Sequence, residues 1–168
     1  IGKGGRNIST SDADNYIAGF MIMNDLSARV LQMQEMKLNL GPAKGKDFGS
    51  TFGPWLVTKD ELEPYKQSSA DGDRYDLKMK AFVNDIQVSK DTLSNMTWTF
   101  AQIIERVSYG VDIFPGDIIG SGTCGTGCFL ELNGSKITDN QWLNHGDMVS
   151  LEIDGLGTLT NKIVLENK

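Results

Sequence analysis

The sequence contains one histidine, two cysteines and no long apolar run among its 168 residues. Several histidines therefore cannot converge on a zinc ion within this chain, and a Ser-His-Asp triad would depend on His145 alone. His145 lies in the segment LNHGDMVSLE, where His-Gly-Asp is typical of a turn before a strand. No apolar run approaches the roughly 18 residues that a membrane-spanning helix needs, so no membrane association is expected. A metal ion is expected to have oxygen ligands, as magnesium, calcium and manganese do.

Positive charge is also scarce, because 16 lysines and arginines face 22 aspartates and glutamates and leave a net charge of −6. The cations are scattered along the chain rather than clustered, so a nucleic acid partner is not expected. Cys124 and Cys128 are too few for a disulfide framework, which indicates a reducing, cytoplasmic setting. Their Cys-x-x-x-Cys spacing has no second cysteine pair, and we interpret both as small buried residues rather than zinc ligands.

The length favours a single domain with one core, and the hydrophobic fraction of 39% is too high for a disordered chain. The chain opens on IGKGGRN without an initiator methionine, and Ile1-Gly2 is typical of the end of a strand. We therefore expect residues 1–168 to form one domain that lacks an upstream portion.

Hydrophobic periodicity and turn residues predict an α+β fold that is rich in strands and has about three short helices. Strands are predicted in GFMIMND, in the hairpin YDLKMKAFVNDIQVSKDT with its turn at Asn84-Asp85, and near residues 158–165. The Gly-Asp turns of PGDIIGSG and HGDMVSLE are each expected to start an apolar strand. Helices are predicted in SARVLQMQEMK and TWTFAQIIERVSYG, the second with an inward stripe of Phe100, Ile103, Ile104 and Val107.

The segment MNDLSARVLQ places an acid, a cation and an amide behind an apolar strand. If the residues from 26 onward are helical, Asp25, Arg29 and Gln32 share one face. A carboxylate at a strand end suits a hard cation, and the planar guanidinium of Arg29 suits a substrate carboxylate or carbonyl. The alternative is structural, with Asp25 capping the helix and pairing with Arg29.

Two glycine-rich segments carry further candidate residues. In GKDFGS, Lys46 would neutralise an enolate or hold an acid, and the alternative is a plain loop lysine. In GSGTCGTGCFLE, glycines flank Thr123 and leave backbone amides and hydroxyls free to surround an anion. Glu131 lies in the apolar string FLEL, which we predict to be a strand that directs this carboxylate into a cavity as an acid or base.

Taken together, these segments resemble the fumarylacetoacetate hydrolase family over nearly the whole chain. MNDLSARVLQ is similar to the family's Asn-Asp-x-Ser-Ala-Arg-x-x-Gln motif, and GKDFGSTFGPW is similar to its Gly-Lys-x-Phe…Gly-Pro-Trp motif. NMTWTFAQII, FPGDIIGSGT and GDMVSLEIDGLGTLTN follow in the family's order. The string SGTCGTGCFLEL most resembles the long-chain bacterial members.

The resemblance implies a mixed β-sheet roll or barrel with a few short helices, usually assembled as a homodimer. It also implies a divalent cation, with magnesium first and calcium or manganese as alternatives. Asp25 would bind this metal, and Ser50 would add a hydroxyl near it. The family's other ligands, a Glu-x-Glu pair, and its catalytic histidine precede a Val-Ile-Gly string that Ile1-Gly2 matches, so they are expected upstream.

The same resemblance implies roles for the remaining candidates. Lys46 would stabilise oxyanion charge beside the metal, and Glu131 would work on the attacking water. Arg29 and Gln32 would contact the substrate or the reacting oxygens, whereas Thr123 would bind the substrate's carboxylate.

Family members cleave a carbon–carbon bond in 1,3-diketo acids, or decarboxylate, hydrate or isomerise related acids. The resemblance therefore implies metal-dependent hydrolysis of a β-diketo acid such as fumarylacetoacetate or an acylpyruvate. A decarboxylase, hydratase or isomerase acting on a related 2-oxo acid is the first alternative, and a non-catalytic ligand-binding domain is the second. Val30 and Met36 depart from the family, which commonly has Asp and, in fumarylacetoacetase, Tyr at these positions. The Met36 departure weakens the case for fumarylacetoacetate itself.

Overall fold

A computed structural model of the protein describes residues 1–166, and within this range the chain forms eight strands and five α-helices. The strands are β1 (Gly19–Asp25), β2 (Ser50–Thr58), β3 (Lys66–Gln67), β4 (Arg74–Tyr75), β5 (Lys78–Val83), β6 (Ile86–Thr92), β7 (Met148–Ile153) and β8 (Gly157–Lys162). The helices are α1 (Thr10–Ala13), α2 (Arg29–Glu35), α3 (Lys44–Asp47), α4 (Phe100–Ser108) and α5 (Phe129–Gly134). These elements confirm the predicted α+β class, rich in strands and with short helices.

The strands form three antiparallel sheets. β1 pairs with β2, β3 pairs with β4, and the largest sheet has the order β6-β5-β7-β8. Tight hairpins join β5 to β6 and β7 to β8. Such a short turn can connect two strands only if they are antiparallel. Across residues 1–166 the sheets contain no parallel pair and do not close into a barrel. The described residues therefore form open antiparallel sheets.

The turn between β5 and β6 shows how the sequence determines this sheet. Asn84 and Asp85 both adopt positive φ, at 50° and 64°. Asn and Asp tolerate this left-handed conformation, which a two-residue hairpin turn requires. The Asn84 side chain also ties the turn to β7, because its Oδ1 accepts the N–H of Met148 at 2.9 Å. The predicted hairpin is confirmed.

The buried side chains form two clusters. The first lies between the β1–β2 ribbon and the four-stranded sheet, and the second lies around α1, α4 and the start of the chain. Their members are Ile22, Val57, Leu62, Tyr75, Leu77, Leu156 and Leu159 in the first, and Ile8, Ala13, Ala101, Ile104 and Ile113 in the second. Among the described residues, no helix is both long enough and apolar enough to cross a membrane.

Helix α4 begins with a complete capping box. Thr99 Oγ1 accepts the N–H of Gln102 at 3.1 Å, and Gln102 Oε1 accepts the N–H of Thr99 at 3.0 Å. The inward face consists of Ala101, Ile104 and Ser108. Val107, which we predicted to face inward, is 40% exposed, so the predicted stripe was wrong in part. Two of these three residues, Ala101 and Ser108, are small, and a periodicity search that counts large apolar residues misses them.

Two predicted strands are wrong. The Gly-Asp turn at Pro115-Gly116 forms, but residues 117–122 have no regular strand, and Ile118 is 54% exposed. The string FLEL lies in α5, where the N–H groups of Glu131 and Leu132 donate to the carbonyl of Cys128 at 3.1 and 3.0 Å. A four-residue apolar run has the same pattern in a buried strand and in a short helix, so sequence alone could not separate them.

Candidate active site

One cavity of about 770 Å³ brings together most of the residues that the sequence singled out. Its polar lining includes five of them, namely Asp25, Arg29, Lys46, Thr123 and Glu131. Apolar side chains of β1 and of the four-stranded sheet form the rest of its wall, among them Phe20, Ile22, Leu77 and Leu151. A mostly apolar cavity with a few convergent polar groups is the usual form of a small-molecule site.

Asp25 occupies the last position of β1, opposite Ser50 at the start of β2. Its side chain is 46% exposed, and its Oδ2 lies 2.5 Å from Nζ of Lys46. Helix α2 begins only at Arg29, with Ala28 at the N-cap position and no side-chain capping bond there. The structural alternative, in which Asp25 caps this helix and pairs with Arg29, is therefore wrong.

Lys46 reaches Asp25 from the short helix α3. Its Nζ also donates to Oγ of Ser27 at 2.7 Å, and the Ser27 hydroxyl donates to the backbone carbonyl of Asp25 at 3.2 Å. The lysine side chain is only 27% exposed. Three hydrogen bonds thus link these residues and direct the ammonium group toward the cavity. A plain loop lysine would be solvated, so that alternative is not what the geometry shows.

Arg29 and Gln32 are joined to each other on α2. One guanidinium nitrogen of Arg29 donates to Oε1 of Gln32 at 2.7 Å. Arg29 lines the cavity, whereas Gln32 lies outside the lining in the described part of the chain. The Gln32 side chain therefore fixes one end of the Arg29 guanidinium, and its predicted contact with the substrate stays a prediction.

Ser50 faces Asp25 across the β1–β2 ladder but lies outside the cavity lining among residues 1–166. Side chains of directly opposed residues in an antiparallel pair project to the same face, with Cβ atoms about 5 Å apart. The Ser50 hydroxyl therefore lies on the same side of the ribbon as the Asp25 carboxylate, and its place beside a metal ion stays a prediction.

Thr123 and Glu131 line the cavity from the segment before α5 and from α5 itself. Within this segment, Gly127 packs against the side chain of Thr123, because a Cβ atom on Gly127 would lie 2.0 Å from Oγ1 of Thr123. Burial raises the pKa of the Cys124 thiol, so this cysteine is neutral at physiological pH. Cys124 and Cys128 are free but half-buried, rather than fully buried as predicted.

An amide from the four-stranded sheet fixes the end of the β1–β2 ribbon. Oδ1 of Asn161 in β8 accepts hydrogen bonds from Nδ2 of Asn24 at 3.0 Å and from Oγ1 of Thr51 at 2.8 Å. Asn24 and Thr51 face each other in the ladder, directly beside the Asp25–Ser50 pair. Asn161 therefore holds both strands at the position where Asp25 leaves the sheet.

The oxygen donors of this site suit a hard cation in kind but are too few in number. Within residues 1–166 no group of three or more His, Cys, Asp and Glu side chains is arranged to hold a metal ion. Asp25 supplies one carboxylate and Ser50 one hydroxyl, whereas magnesium takes six oxygen ligands. These residues fit as part of a metal site whose other ligands would come from outside them.

Sequence reasoning assigned no role to Ser27 or Asn161. Ser27 stands inside the Asn-Asp-x-Ser-Ala-Arg motif, so its serine was a signal that could have been used. Asn161 stands in the string GTLTN, and nothing local indicates that its partners lie more than 100 residues away.

The chain matches the family described as fumarylacetoacetate (FAA) hydrolase C-terminal over residues 1–164. It is 32% identical to fumarylacetoacetase of Arabidopsis thaliana over 201 residues, which cover 95% of this chain and 48% of that protein. It is 35% identical to the mitochondrial oxaloacetate tautomerase of Rattus norvegicus over 167 residues, which cover 98% of this chain and 47% of that protein. The chain thus spans about half the length of the curated relatives it matches.

Solved structures confirm the expected fold. A probable 2-hydroxyhepta-2,4-diene-1,7-dioate isomerase from Mycobacterium abscessus superposes with a TM-score of 0.78 and 27% identity, covering 100% of this chain and 58% of that one. Fumarylpyruvate hydrolase from Pseudomonas aeruginosa, solved with Mn²⁺ and pyruvate, gives a TM-score of 0.78 at 24% identity, covering 99% of this chain and 62% of that one. By its sequence match and its fold, the chain belongs to the fumarylacetoacetate hydrolase family.

Proposed function

We propose that the protein hydrolyses a carbon–carbon bond in a β-diketo acid, such as fumarylacetoacetate or an acylpyruvate, with the help of a divalent cation. The observation that carries this proposal is the ammonium group of Lys46, held by Asp25 and Ser27 at a cavity that also contains Glu131. Breaking a 1,3-diketone produces an enolate, and a fixed cationic group beside the developing oxygen charge stabilises that transition state.

Each polar residue of the cavity has a task in this reaction. Arg29 and Thr123 bind the substrate's carboxylate and orient the chain of carbonyls along the cavity. The Glu131 carboxylate takes a proton from water as the water oxygen adds to one carbonyl carbon. The bond from that carbon to the central carbon then breaks, and its electron pair becomes the enolate of the second fragment. The Lys46 ammonium lies beside the enolate oxygen until a proton returns to carbon.

Asp25, with Ser50 beside it, would hold the divalent cation together with ligands from outside residues 1–166. Magnesium is the proposed ion, and calcium or manganese would satisfy the same oxygen donors. When bound, such an ion polarises the two oxygens of a 1,3-diketo group, which makes the carbonyl carbon more reactive.

The second candidate function is tautomerisation of oxaloacetate or another 2-oxo acid, or a decarboxylation or isomerisation of the same kind. The 35% identity to a relative named oxaloacetate tautomerase favours it. This reaction needs the same enolate stabilisation by Lys46 but no attacking water, so Glu131 would only move a proton between carbon and oxygen.

A product analysis of the full-length protein distinguishes these functions. The protein is incubated with magnesium or manganese and, separately, with an acylpyruvate, fumarylacetoacetate and oxaloacetate. Hydrolysis yields two acids in equal amounts from a diketo acid. Tautomerisation changes the enol absorbance of oxaloacetate while its total amount stays constant. Absence of turnover with all three would favour the non-catalytic alternative.

A homodimer in a cytoplasmic setting is part of this proposal. The side chains of Val30, Leu38 and Leu40 lie exposed on and after α2, where a second copy would cover them. The mass of the full-length protein in light scattering tests the dimer directly.

A further inference from the structure

Glu35, the last residue of α2, accepts hydrogen bonds from three consecutive backbone N–H groups. Its Oε2 accepts from Ala43 and Gly45 at 3.0 Å each, and its Oε1 accepts from Lys44 at 2.8 Å. These donors form the beginning of α3, the four-residue helix that carries Lys46. These hydrogen bonds lower the pKa of Glu35, and the bond from the Gly45 N–H has the largest effect. The carboxylate is therefore ionised at neutral pH.

Helix α3 is too short to hold its own shape, because isolated helices need well over ten residues to be stable in water. Contacts with α2 replace that missing stability. A Cβ atom on Gly45 would lie 2.8 Å from Cα of Gln32, so the two backbones touch. The carbonyl of Gly45 also accepts the N–H of Ala28 at 2.9 Å, just before α2 begins. Glu35 completes this attachment at the other end of α2.

We propose that Glu35 is a positioning residue that fixes the Lys46 ammonium against Asp25. The inference rests on the proposed role of Lys46 in the function given above. Loss of the Glu35 carboxylate leaves three N–H groups to water, and α3 then no longer holds Lys46 in one place. A displacement of about 1 Å in a reacting group can cost about 100-fold in rate. Glu35 lies outside the cavity lining of the described residues, so substrate binding should change much less than turnover.

The test compares Glu35→Ala and Glu35→Gln in the full-length protein with the control Glu105→Ala. Glu105 also accepts the first N–H of a short helix, that of Thr10 at 3.4 Å, but stands outside the cavity. Three measurements are made. They are steady-state kinetics, which give kcat and KM, hydrogen exchange of a peptide that contains residues 43–45, and the rate at which an amine-reactive reagent modifies Lys46. Modification of Lys90, an exposed residue of β6, serves as the internal reference.

We expect Glu35→Ala to lower kcat about 10- to 100-fold with KM within about threefold of wild type. Exchange at residues 43–45 should become faster, and Lys46 should react several-fold faster relative to Lys90. Glu35→Gln keeps one good acceptor and should give a smaller change of the same sign. The Glu105→Ala protein should match wild type in all three measurements.

Wild-type kcat in a folded Glu35→Gln and Glu35→Ala protein would overturn the inference, as would unchanged modification of Lys46. If the alanine variant does not fold, the glutamine variant decides. The exchange and modification rates do not depend on turnover. A protein that turns over no diketo acid, yet shows both changes, would refute the proposed function and leave the positioning role of Glu35 intact.

Discussion

Lys46 Nζ lies 2.5 Å from Oδ2 of Asp25. This ion pair joins helix α3 to the end of β1. Both side chains are partly exposed, and a pair of this kind contributes only about 0–1 kcal/mol to stability. We therefore expect the pair to contribute to the proposed chemistry more than to folding. The Ser27 hydroxyl accepts a second hydrogen bond from the Lys46 ammonium. The position of this charged group is therefore fixed by the protein itself.

Replacement of Lys46 by methionine should lower kcat by about two to three orders of magnitude. Methionine has a similar length but cannot stabilise charge on an enolate oxygen, and such preorganised groups commonly contribute about 3–4 kcal/mol each. The thermal midpoint of the full-length protein should change little. Steady-state kinetics with an acylpyruvate and with oxaloacetate measure the effect.

Lys44→Met is the matched control, because Lys44 is exposed on the same short helix and lies outside the cavity lining of the described residues. Its kinetics should match wild type. Equal losses in the two variants would mean that the helix, rather than the Lys46 ammonium, is responsible.

Asp25→Ala should abolish binding of magnesium or manganese by the full-length protein in titration calorimetry. A carboxylate at the end of a strand is a first-choice oxygen ligand, and removal of one charged ligand leaves too few donors for a strongly hydrated ion. Asp47→Ala, which removes an exposed acid from α3, should leave the affinity unchanged. Metal affinity of wild-type strength in Asp25→Ala would remove Asp25 from the ligand set.

Elements with a distinct local pattern were predictable from the sequence. The strand β1 is an apolar run that ends in an acid, and the turn at Asn84-Asp85 contains the residues that a left-handed conformation favours. The string FLEL had no such signal, because a short apolar run suits a helix and a strand equally. The tertiary packing of Leu132 into the interior determined the outcome there.

The candidate residues stand out in the sequence itself, but only the family resemblance grouped them in one site. Helical spacing alone pairs Asp25 with Arg29, whereas the folded chain pairs Asp25 with Lys46, which is 21 positions away. The contacts of Glu35 and Asn161 are also non-local, at separations of 8 to 137 residues. No local pattern encodes such contacts, since they depend on how the strands and helices pack.

Asn161→Leu should destabilise the protein by about 1–2 kcal/mol, because Asn24 and Thr51 would lose their shared acceptor in a partly buried place. It should also lower kcat several-fold, since the ribbon that carries Asp25 is then less fixed. Asn161→Asp is the control, because a carboxylate oxygen can still accept from both donors. Chemical denaturation and steady-state kinetics measure the two effects. A variant Asn161→Asp as impaired as Asn161→Leu would contradict the role of this acceptor.

Asp14→Asn should stabilise the protein at neutral pH. Oδ2 of Asp14 accepts the N–H of Asp73 at 2.9 Å, but Oδ1 is buried with no hydrogen-bond partner within the described residues. Burial raises the pKa of Asp14 above its ordinary value, so the folded state prefers the protonated acid. The contribution of this group to stability is therefore fully present at low pH and decreases as the pH rises through the folded pKa.

Asparagine keeps an acceptor for Asp73 and carries no charge, so Asp14→Asn removes a cost that exists only when Asp14 is ionised. The expected gain is about 1 kcal/mol at pH 7, because a neutral amide costs less to bury than an ionised carboxylate. The gain should shrink as the pH approaches the unfolded pKa of about 4. Thermal midpoints between pH 7 and pH 4 measure it, with Asp12→Asn, an exposed acid on α1, as the control. A gain that does not depend on pH would mean that the carboxylate's charge is not the cause.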